Sequence, residues 1–118
     1  MFTDKLKSFL DARPAARGAR EAEKAARDAV ALQKLEPLRA PFGFLPWPRA
    51  AMRPAGILEI VYDIFLNGRR MIVELGSGVS TLLIANAIRA TDTMLLSFES
   101  DAEWATTLRQ RLVDADVH

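Results

Sequence analysis

The sequence predicts an α/β fold in which a helix joins the first two strands of a parallel sheet. Two short runs of strand-forming residues, Met71–Leu75 and Met94–Phe98, lack a regular polar alternation. Such runs are typical of parallel strands covered by helices on both faces. An apolar helical stretch lies between them over 80–90, so we interpret the unit as β-α-β. A glycine turn at Gly76 and Gly78 connects the first strand to this helix.

A second helix is predicted immediately before the first strand. Pro54 suits a first helical turn, and Asn67 followed by Gly68 is a C-terminal stop signal. Between these signals the apolar residues recur at helical spacing: Ile57, Ile60, Val61, Ile64 and Phe65. The pattern predicts an amphipathic helix that packs against the sheet.

A third helix is predicted after the second strand. Ser100 and Glu103 have the spacing of a capping box, which places the start of the helix at Ser100. Trp104 and Leu108 then fall on one side of it. We predict a further strand to begin near residues 114–118.

Composition excludes several classes of protein. The chain has 118 residues, 50% of them hydrophobic, with 16 basic and 15 acidic side chains and no cysteine. This length fits one domain at most, and without cysteine a disulfide scaffold or thiolate zinc site is excluded. The single histidine, His118, excludes a Ser-His-Asp triad and a histidine metal cluster within the chain. We expect no metal site.

We divide the chain into three parts by composition. Residues 1–36 are rich in Ala, Arg and Glu and predict a helical extension; 37–54 hold five of the six prolines; 55–118 form the α/β part. In the extension, alanines 22, 25, 26 and 29 and Leu32 share one side of a helical wheel, which we predict to be its packing face. The proline segment predicts a non-helical connector that packs through four apolar anchors. These are Phe42, Phe44, Leu45 and Trp47.

Charge and hydropathy indicate a soluble cytoplasmic protein. No run approaches the ~18 apolar residues of a membrane helix, and the N-terminus lacks the apolar core of a signal peptide. Residues 1–54 carry 11 basic and 6 acidic side chains, whereas 55–118 carry 5 and 9. Because acidic residues are interleaved with the basic ones, we interpret the extension as a solvated helix and expect neither nucleic acid binding nor a membrane span.

The glycine turn and an acid at the end of the second strand predict a nucleoside ligand. Glycines let the backbone approach a ligand at the carboxyl end of a strand. Glu99 lies 23 residues after Gly76, near the spacing at which an acidic residue accepts ribose hydroxyls in dinucleotide folds. Glu74 directly before the turn disfavours a pyrophosphate and favours a ligand that carries positive charge. Thr81 also departs from the dinucleotide fingerprint, which has a third glycine there.

The runs E-L-G-S-G-V-S (74–80) and L-S-F-E-S-D-A-E-W (96–104) resemble the first motif and second-strand acid of class I S-adenosylmethionine-dependent methyltransferases. The resemblance covers roughly residues 55–118 and implies a partial, doubly wound Rossmann-like sheet. It implies that Glu74, Gly76 and Gly78 lie near the methionine part of S-adenosyl-L-methionine and that Glu99 binds the ribose. The third family glycine falls at Ser80, which we predict to cap the following helix. Ser77 and Ser80 complete the predicted cofactor-binding set.

The resemblance implies a methyltransferase that acts on a small molecule or a glycan. The acceptor class comes from a weaker similarity of the proline-tryptophan segment and of the E-x-D-x-E-W run to bacterial methyltransferases of that kind. We assign no catalytic residue, since in that family these residues follow later strands. Two strands would leave an exposed apolar edge, so we expect the chain to be the cofactor-binding half of a longer domain, or a partner chain or second copy to complete the sheet.

Two other functions stay open at the level of sequence. A non-catalytic interaction module, or truncated remnant, would use the Ala/Arg/Glu helix and the aromatic proline segment to bind a partner. A nicotinamide-dependent oxidoreductase would use the glycine turn for a dinucleotide, although Glu74 and Thr81 disfavour it.

Overall fold

The structure, a computed structural model, describes residues 2–118. Of the predicted 1–36 extension, only Met1 lies outside the described residues. Residues 2–118 form a mixed α/β arrangement of four α-helices, one 3₁₀ turn and a two-stranded parallel sheet. In chain order the elements are α1 (Phe2–Arg39), the 3₁₀ turn (Ala40–Phe42), α2 (Pro54–Leu66), β1 (Met71–Leu75), α3 (Val79–Ile88), β2 (Met94–Phe98) and α4 (Ala102–Asp114).

The two strands pair in parallel, and α3 connects them. The register runs from Met71 opposite Met94 to Leu75 opposite Phe98, so the two strands end at the same edge of the sheet. Both predicted strands and their β-α-β connection are confirmed. The shared end brings the glycine turn and the end of β2 together.

The prediction that helices cover both faces of the sheet was wrong for the described residues. Burial alternates along each strand, because the helices that contact the sheet lie on one face. On that face Ile72 and Leu95 pack against a cluster formed by Ile64, Ile84 and Ile88. The opposite face is apolar and exposed. It consists of Met71, Val73, Leu75, Met94, Leu96 and Phe98.

A second cluster joins the C-terminal part of α1 to α2 and α3. Its buried members are Leu35, Ile57, Val61, Val79 and Leu83. Among the α1 residues whose burial the structure describes, Ala31 and Leu35 are buried, with exposed fractions of 2% and 1%.

The predicted packing face of α1 was therefore wrong. The four alanines of that face are exposed, and Leu32 is 41% exposed. Alanine covers little apolar area, and the larger Leu35 determines which side of the helix faces the core.

Helix α1 extends beyond its predicted end at residue 36 and passes Pro37. A proline in the last turn removes a single backbone donor, so the helix continues to Arg39 before the 3₁₀ turn begins. Of the four predicted connector anchors, three pack against the core, namely Phe42, Leu45 and Trp47, whereas Phe44 is 84% exposed.

Asp28 fixes the middle of α1 to the start of α2. Its Oδ2 accepts a hydrogen bond of 2.7 Å from Nε of Arg53, and its Oδ1 accepts one of 3.2 Å from the backbone N–H of Ala55. Because the first backbone N–H groups of a helix have no partner within the helix, Asp28 acts as a cap supplied by another element. Pro54 occupies the first turn of α2, as predicted.

The start of α4 differs from its prediction by one residue. Asp101 is the N-cap, and its side chain accepts a hydrogen bond of 3.0 Å from the backbone N–H of Trp104. The capping box at Ser100 was therefore wrong. After Asp114 the chain forms a turn instead of the predicted strand, and Val117 is buried. Among the helices of residues 2–118, none combines the length and hydrophobicity needed to cross a membrane.

Candidate functional site

The candidate site lies where β1 and β2 end. The backbone N–H of Gly76 donates a hydrogen bond of 2.7 Å to the carbonyl of Phe98, which extends the strand pairing by one step. This bond places the glycine turn beside the residue after β2, Glu99. Among the predicted site residues, the two strand ends thus bring together Gly76, Ser77, Gly78 and Glu99.

The two glycines of the turn differ in what their backbone requires. Gly76 has φ +84°, in the region that favours glycine, so a side chain there is strained. Gly78 has φ −179°, an extended conformation that other residues adopt. A Cβ added at Gly78 would meet no atom within 4 Å. Nothing within the described chain therefore requires glycine at position 78.

Glu74 lies beneath the turn and accepts hydrogen bonds from three hydroxyl groups. Ser80 Oγ donates to Oε1, while Thr81 Oγ1 and Ser97 Oγ donate to Oε2 at 2.6 and 2.8 Å. A carboxylate offers about four lone-pair sites, so most of its capacity is used within the protein. Glu74 therefore links β1, β2 and the first turn of α3.

The predicted cap at Ser80 was wrong. Gly78 is the N-cap of α3, and Ser80 lies inside the helix, where its hydroxyl contacts Glu74. The side chain that binds a backbone N–H at this helix start is that of Thr81, whose Oγ1 accepts a hydrogen bond of 2.9 Å from the N–H of Gly78. In the sequence, Thr81 stands out only as the residue at the third glycine position of the dinucleotide fingerprint.

Glu99 accepts one backbone hydrogen bond on each carboxylate oxygen. The N–H of Ser77 donates to Oε1 at 2.9 Å, and the N–H of Asp101 donates to Oε2 at 3.0 Å. These bonds, first that from Asp101 and then that from Ser77, hold the pKa of the Glu99 carboxyl below its ordinary value. Glu99 is therefore ionised at neutral pH, and each oxygen retains a lone pair for a further donor.

Two residues outside the predicted cofactor-binding set, Trp104 and Ser97, also shape the turn. The indole Nε1 of Trp104 donates a hydrogen bond of 2.8 Å to the carbonyl of Ser77. Ser97 Oγ shares a hydrogen bond of 2.9 Å with Ser77 Oγ. The only sequence signal for the first contact was the position of Trp104 in the first turn after the N-cap of α4.

Two clefts border the turn. One, of about 550 Å³, lies between α3, β2 and α4, and its lining includes Ser77, Ser97 and Glu99. The other, of about 380 Å³, lies between the connector, the start of α3 and α4, and is lined mainly by apolar side chains such as Leu45, Val79 and Trp104. Ser77 borders both.

The donors and acceptors of the site favour a neutral or cationic ligand over an anion. The N–H groups of Gly76, Ser77 and Gly78 already have acceptors within the protein, so these three residues offer a phosphate no free backbone donor. The carboxylates of Glu74 and Glu99 add negative charge. Within residues 2–118, no three His, Asp or Glu side chains are grouped so that they could hold a metal ion.

Comparison of the chain with models of known protein families, with curated proteins and with solved structures finds no match.

Proposed function

We propose that residues 55–118 form the cofactor-binding part of a Rossmann-like, S-adenosylmethionine-dependent methyltransferase domain. The observation that carries the proposal is the position of Glu99: an ionised carboxylate with unused lone pairs lies beside a glycine turn that is open at Gly78. Two adjacent hydroxyls of a ribose match such an acceptor.

The charge of the site supports this cofactor over a dinucleotide. A pyrophosphate would approach a turn whose N–H groups are already bonded, next to two carboxylates, and would be repelled. S-adenosylmethionine has no phosphate and carries a sulfonium and an ammonium group. Negative charge at Glu74 and Glu99 therefore stabilises it.

Five of the six predicted site residues have a role in this proposal. Glu99 accepts the ribose hydroxyls, and Gly78 leaves room for the ligand to approach the backbone. Glu74 retains one lone-pair site and attracts the amino-acid end through its charge, while Ser80 holds that carboxylate in place. Ser77 joins the turn to Glu99.

When bound, S-adenosylmethionine supplies an electrophilic methyl group. The acceptor, proposed to be a small molecule or a glycan, would meet it at this edge of the sheet. We assign no catalytic base. The carboxylates of Glu74 and Glu99 are assigned to the cofactor, and the other side chains that form hydrogen bonds at the turn are hydroxyls and the indole of Trp104.

A calorimetric titration of the 118-residue protein with S-adenosylhomocysteine tests the proposal. We expect saturable binding that Glu99→Gln weakens about 10- to 100-fold, because hydrogen bonds to a charged acceptor contribute ~1.5–3 kcal/mol. Glu103→Gln is the matched control, since Glu103 is an exposed acid in the first turn of α4. Absence of saturable binding, or equal losses in both variants, would contradict the proposal.

A titration with NADH separates the dinucleotide alternative. We expect no binding, because of the bonded N–H groups of the turn. NADH binding that exceeds S-adenosylhomocysteine binding would instead support an oxidoreductase.

A second candidate function, a non-catalytic interaction module, is favoured by the exposed apolar face of the sheet. Val73 and Leu96 lie at its centre, 57% and 44% exposed, and large exposed apolar patches mark interaction sites. Light scattering over a range of concentrations tests this function. A mass that rises with concentration in the wild type but not in Leu96→Gln, together with no response to S-adenosylhomocysteine, would favour it.

A further inference from the structure

Helix α1 extends well beyond the body of the protein. A helix of its 38 residues is about 57 Å long, and the protein measures 65 × 33 × 24 Å. From residue 3 to residue 27, every side chain that the structure describes is exposed. The packed part of α1 thus begins near Asp28.

The face of α1 that packs on the body continues outward as a row of cations. Residues three or four apart share a helix face, and from the buried Ala31 and Leu35 this spacing leads back along the exposed segment. The cations on that face are Arg13, Arg17, Arg20, Lys24 and Arg27.

One carboxylate of the same segment, Glu21, lines the same surface groove as Arg17 and Arg20. Glu21 pairs with Lys24 at 3.6 Å, and Glu23 pairs with Arg27 at 3.0 Å. In the described part of the chain, neither Arg17 nor Arg20 has an ion-pair partner. The middle of the row therefore presents two guanidinium groups that form no ion pair with the described residues.

The outer end of the same face is apolar. Leu6, Phe9 and Leu10 are 47%, 58% and 50% exposed. The guanidinium carbon of Arg13 lies 4.9 Å from the centre of the Phe9 ring, so the apolar end and the cationic row are continuous.

We propose that residues 3–27 of α1 dock on an anionic phospholipid surface. Charge complementarity carries the choice of a polyanion, because Arg17 and Arg20 lack ion-pair partners among the described residues. The apolar side chains of Leu6, Phe9 and Leu10 favour an anionic bilayer over a nucleic acid. A bilayer interface binds aliphatic and aromatic side chains beside its phosphate groups, whereas a nucleic acid backbone binds only the cations. The inference is independent of the methyltransferase proposal.

Co-sedimentation of the full chain with vesicles tests the inference. We expect binding to phosphatidylcholine vesicles with 30% phosphatidylserine, weak binding to pure phosphatidylcholine, and loss of binding at high salt. Arg17→Gln/Arg20→Gln should weaken binding about 30-fold, from the effect of two cations near an anionic surface. Both side chains are exposed, so the fold should be kept, and circular dichroism checks it.

The control is Arg49→Gln/Arg89→Gln, which removes the same charge from exposed positions outside α1. An equal loss in this control would show a nonspecific effect of net charge and would overturn the inference. Phe9→Trp gives a second readout, because its fluorescence should shift to the blue with the anionic vesicles.

Two further outcomes would overturn the inference. One is tighter binding to a DNA duplex than to the anionic vesicles. The other is a wild type that does not bind vesicles and forms a dimer, which the variant Leu6→Ser/Phe9→Ser dissociates. A second copy of the chain would then cover this face.

Discussion

The backbone N–H of Ser77 donates a hydrogen bond of 2.9 Å to Oε1 of Glu99, which joins the turn after β1 to the residue that follows β2. The same carboxylate accepts the N–H of Asp101 at the start of α4. One side chain thus sets the relative position of three segments. A change in Glu99 is therefore expected to alter both the shape of the turn and its ligand affinity, which is why Glu99→Gln is a sharper test than removal of the side chain.

The two glycines of the turn should respond differently to alanine. Gly76→Ala should destabilise the protein by about 1–2 kcal/mol, because φ +84° is unfavourable for a residue with a Cβ. Gly78→Ala should change the free energy of unfolding by less than about 0.5 kcal/mol, because the position is extended and open. Urea denaturation measures both.

The affinity for S-adenosylhomocysteine then shows whether Gly78 faces the ligand. If S-adenosylhomocysteine occupies the turn, Gly78→Ala should lower its affinity at least about tenfold while stability is kept, because a methyl group enters the space of the ligand. Unchanged affinity in this stable variant would place the ligand elsewhere.

Replacement of Glu74 separates its internal role from a role in binding. Glu74→Ala leaves three hydroxyl donors without their acceptor and should cost about 1–3 kcal/mol. Glu74→Gln keeps an acceptor oxygen and should be less destabilising. If the negative charge attracts the ligand, Glu74→Gln should still weaken S-adenosylhomocysteine binding.

A variant at Ser97 supplies the control for this comparison. Ser97→Ala removes one of the three donors but keeps the charge of Glu74. Equal ligand affinity in the wild type and Glu74→Gln would show that the carboxylate acts only within the fold.

Local signals in the sequence predicted the elements near the site well. Pro54 and Asn67-Gly68 bounded α2, and the two apolar runs became β1 and β2 at their predicted residues. These signals depend on neighbouring residues and on backbone preferences, which a single sequence contains.

Long-range contacts were not predictable in the same way. The contact of Asp28 with Ala55 joins residues 27 apart, and the indole of Trp104 reaches a carbonyl 27 residues earlier. The donor and the acceptor in each pair come within hydrogen-bond distance only after the helices pack. The same holds for α1, where alanine periodicity indicated one face and the burial of Leu35 established another.

The hydrogen bond from Trp104 to Ser77 should make this indole a reporter of the turn. Trp104→Phe removes the donor to the Ser77 carbonyl and should cost about 0.5–1.5 kcal/mol. S-adenosylhomocysteine should change the fluorescence of the wild type and of Trp47→Phe but not that of Trp104→Phe. Trp47 is a suitable control because its indole donates to the carbonyl of Met52 in the connector. A response that persists without Trp104 would contradict a ligand at the turn.

Asp28 should make the docking of α1 on α2 sensitive to acid. The hydrogen bond from Arg53, followed by that from the Ala55 N–H, holds the pKa of the Asp28 carboxyl below its ordinary value. A lowered pKa in the folded state stabilises the protein fully above the unfolded value of about 3.9, and this contribution is lost as the pH falls through the folded value.

Asp28→Asn should therefore be less stable than the wild type at pH 7, by about 1 kcal/mol for a lost charged cap. The difference in stability should shrink between about pH 5 and pH 3, because the wild type has a titrating carboxyl group at position 28 and Asp28→Asn does not. Urea denaturation at about pH 7 and pH 3 measures this difference in stability. Asp11→Asn, on the exposed part of α1, is the control. A difference that stays constant with pH would show that the charge of Asp28 does not hold the two helices together.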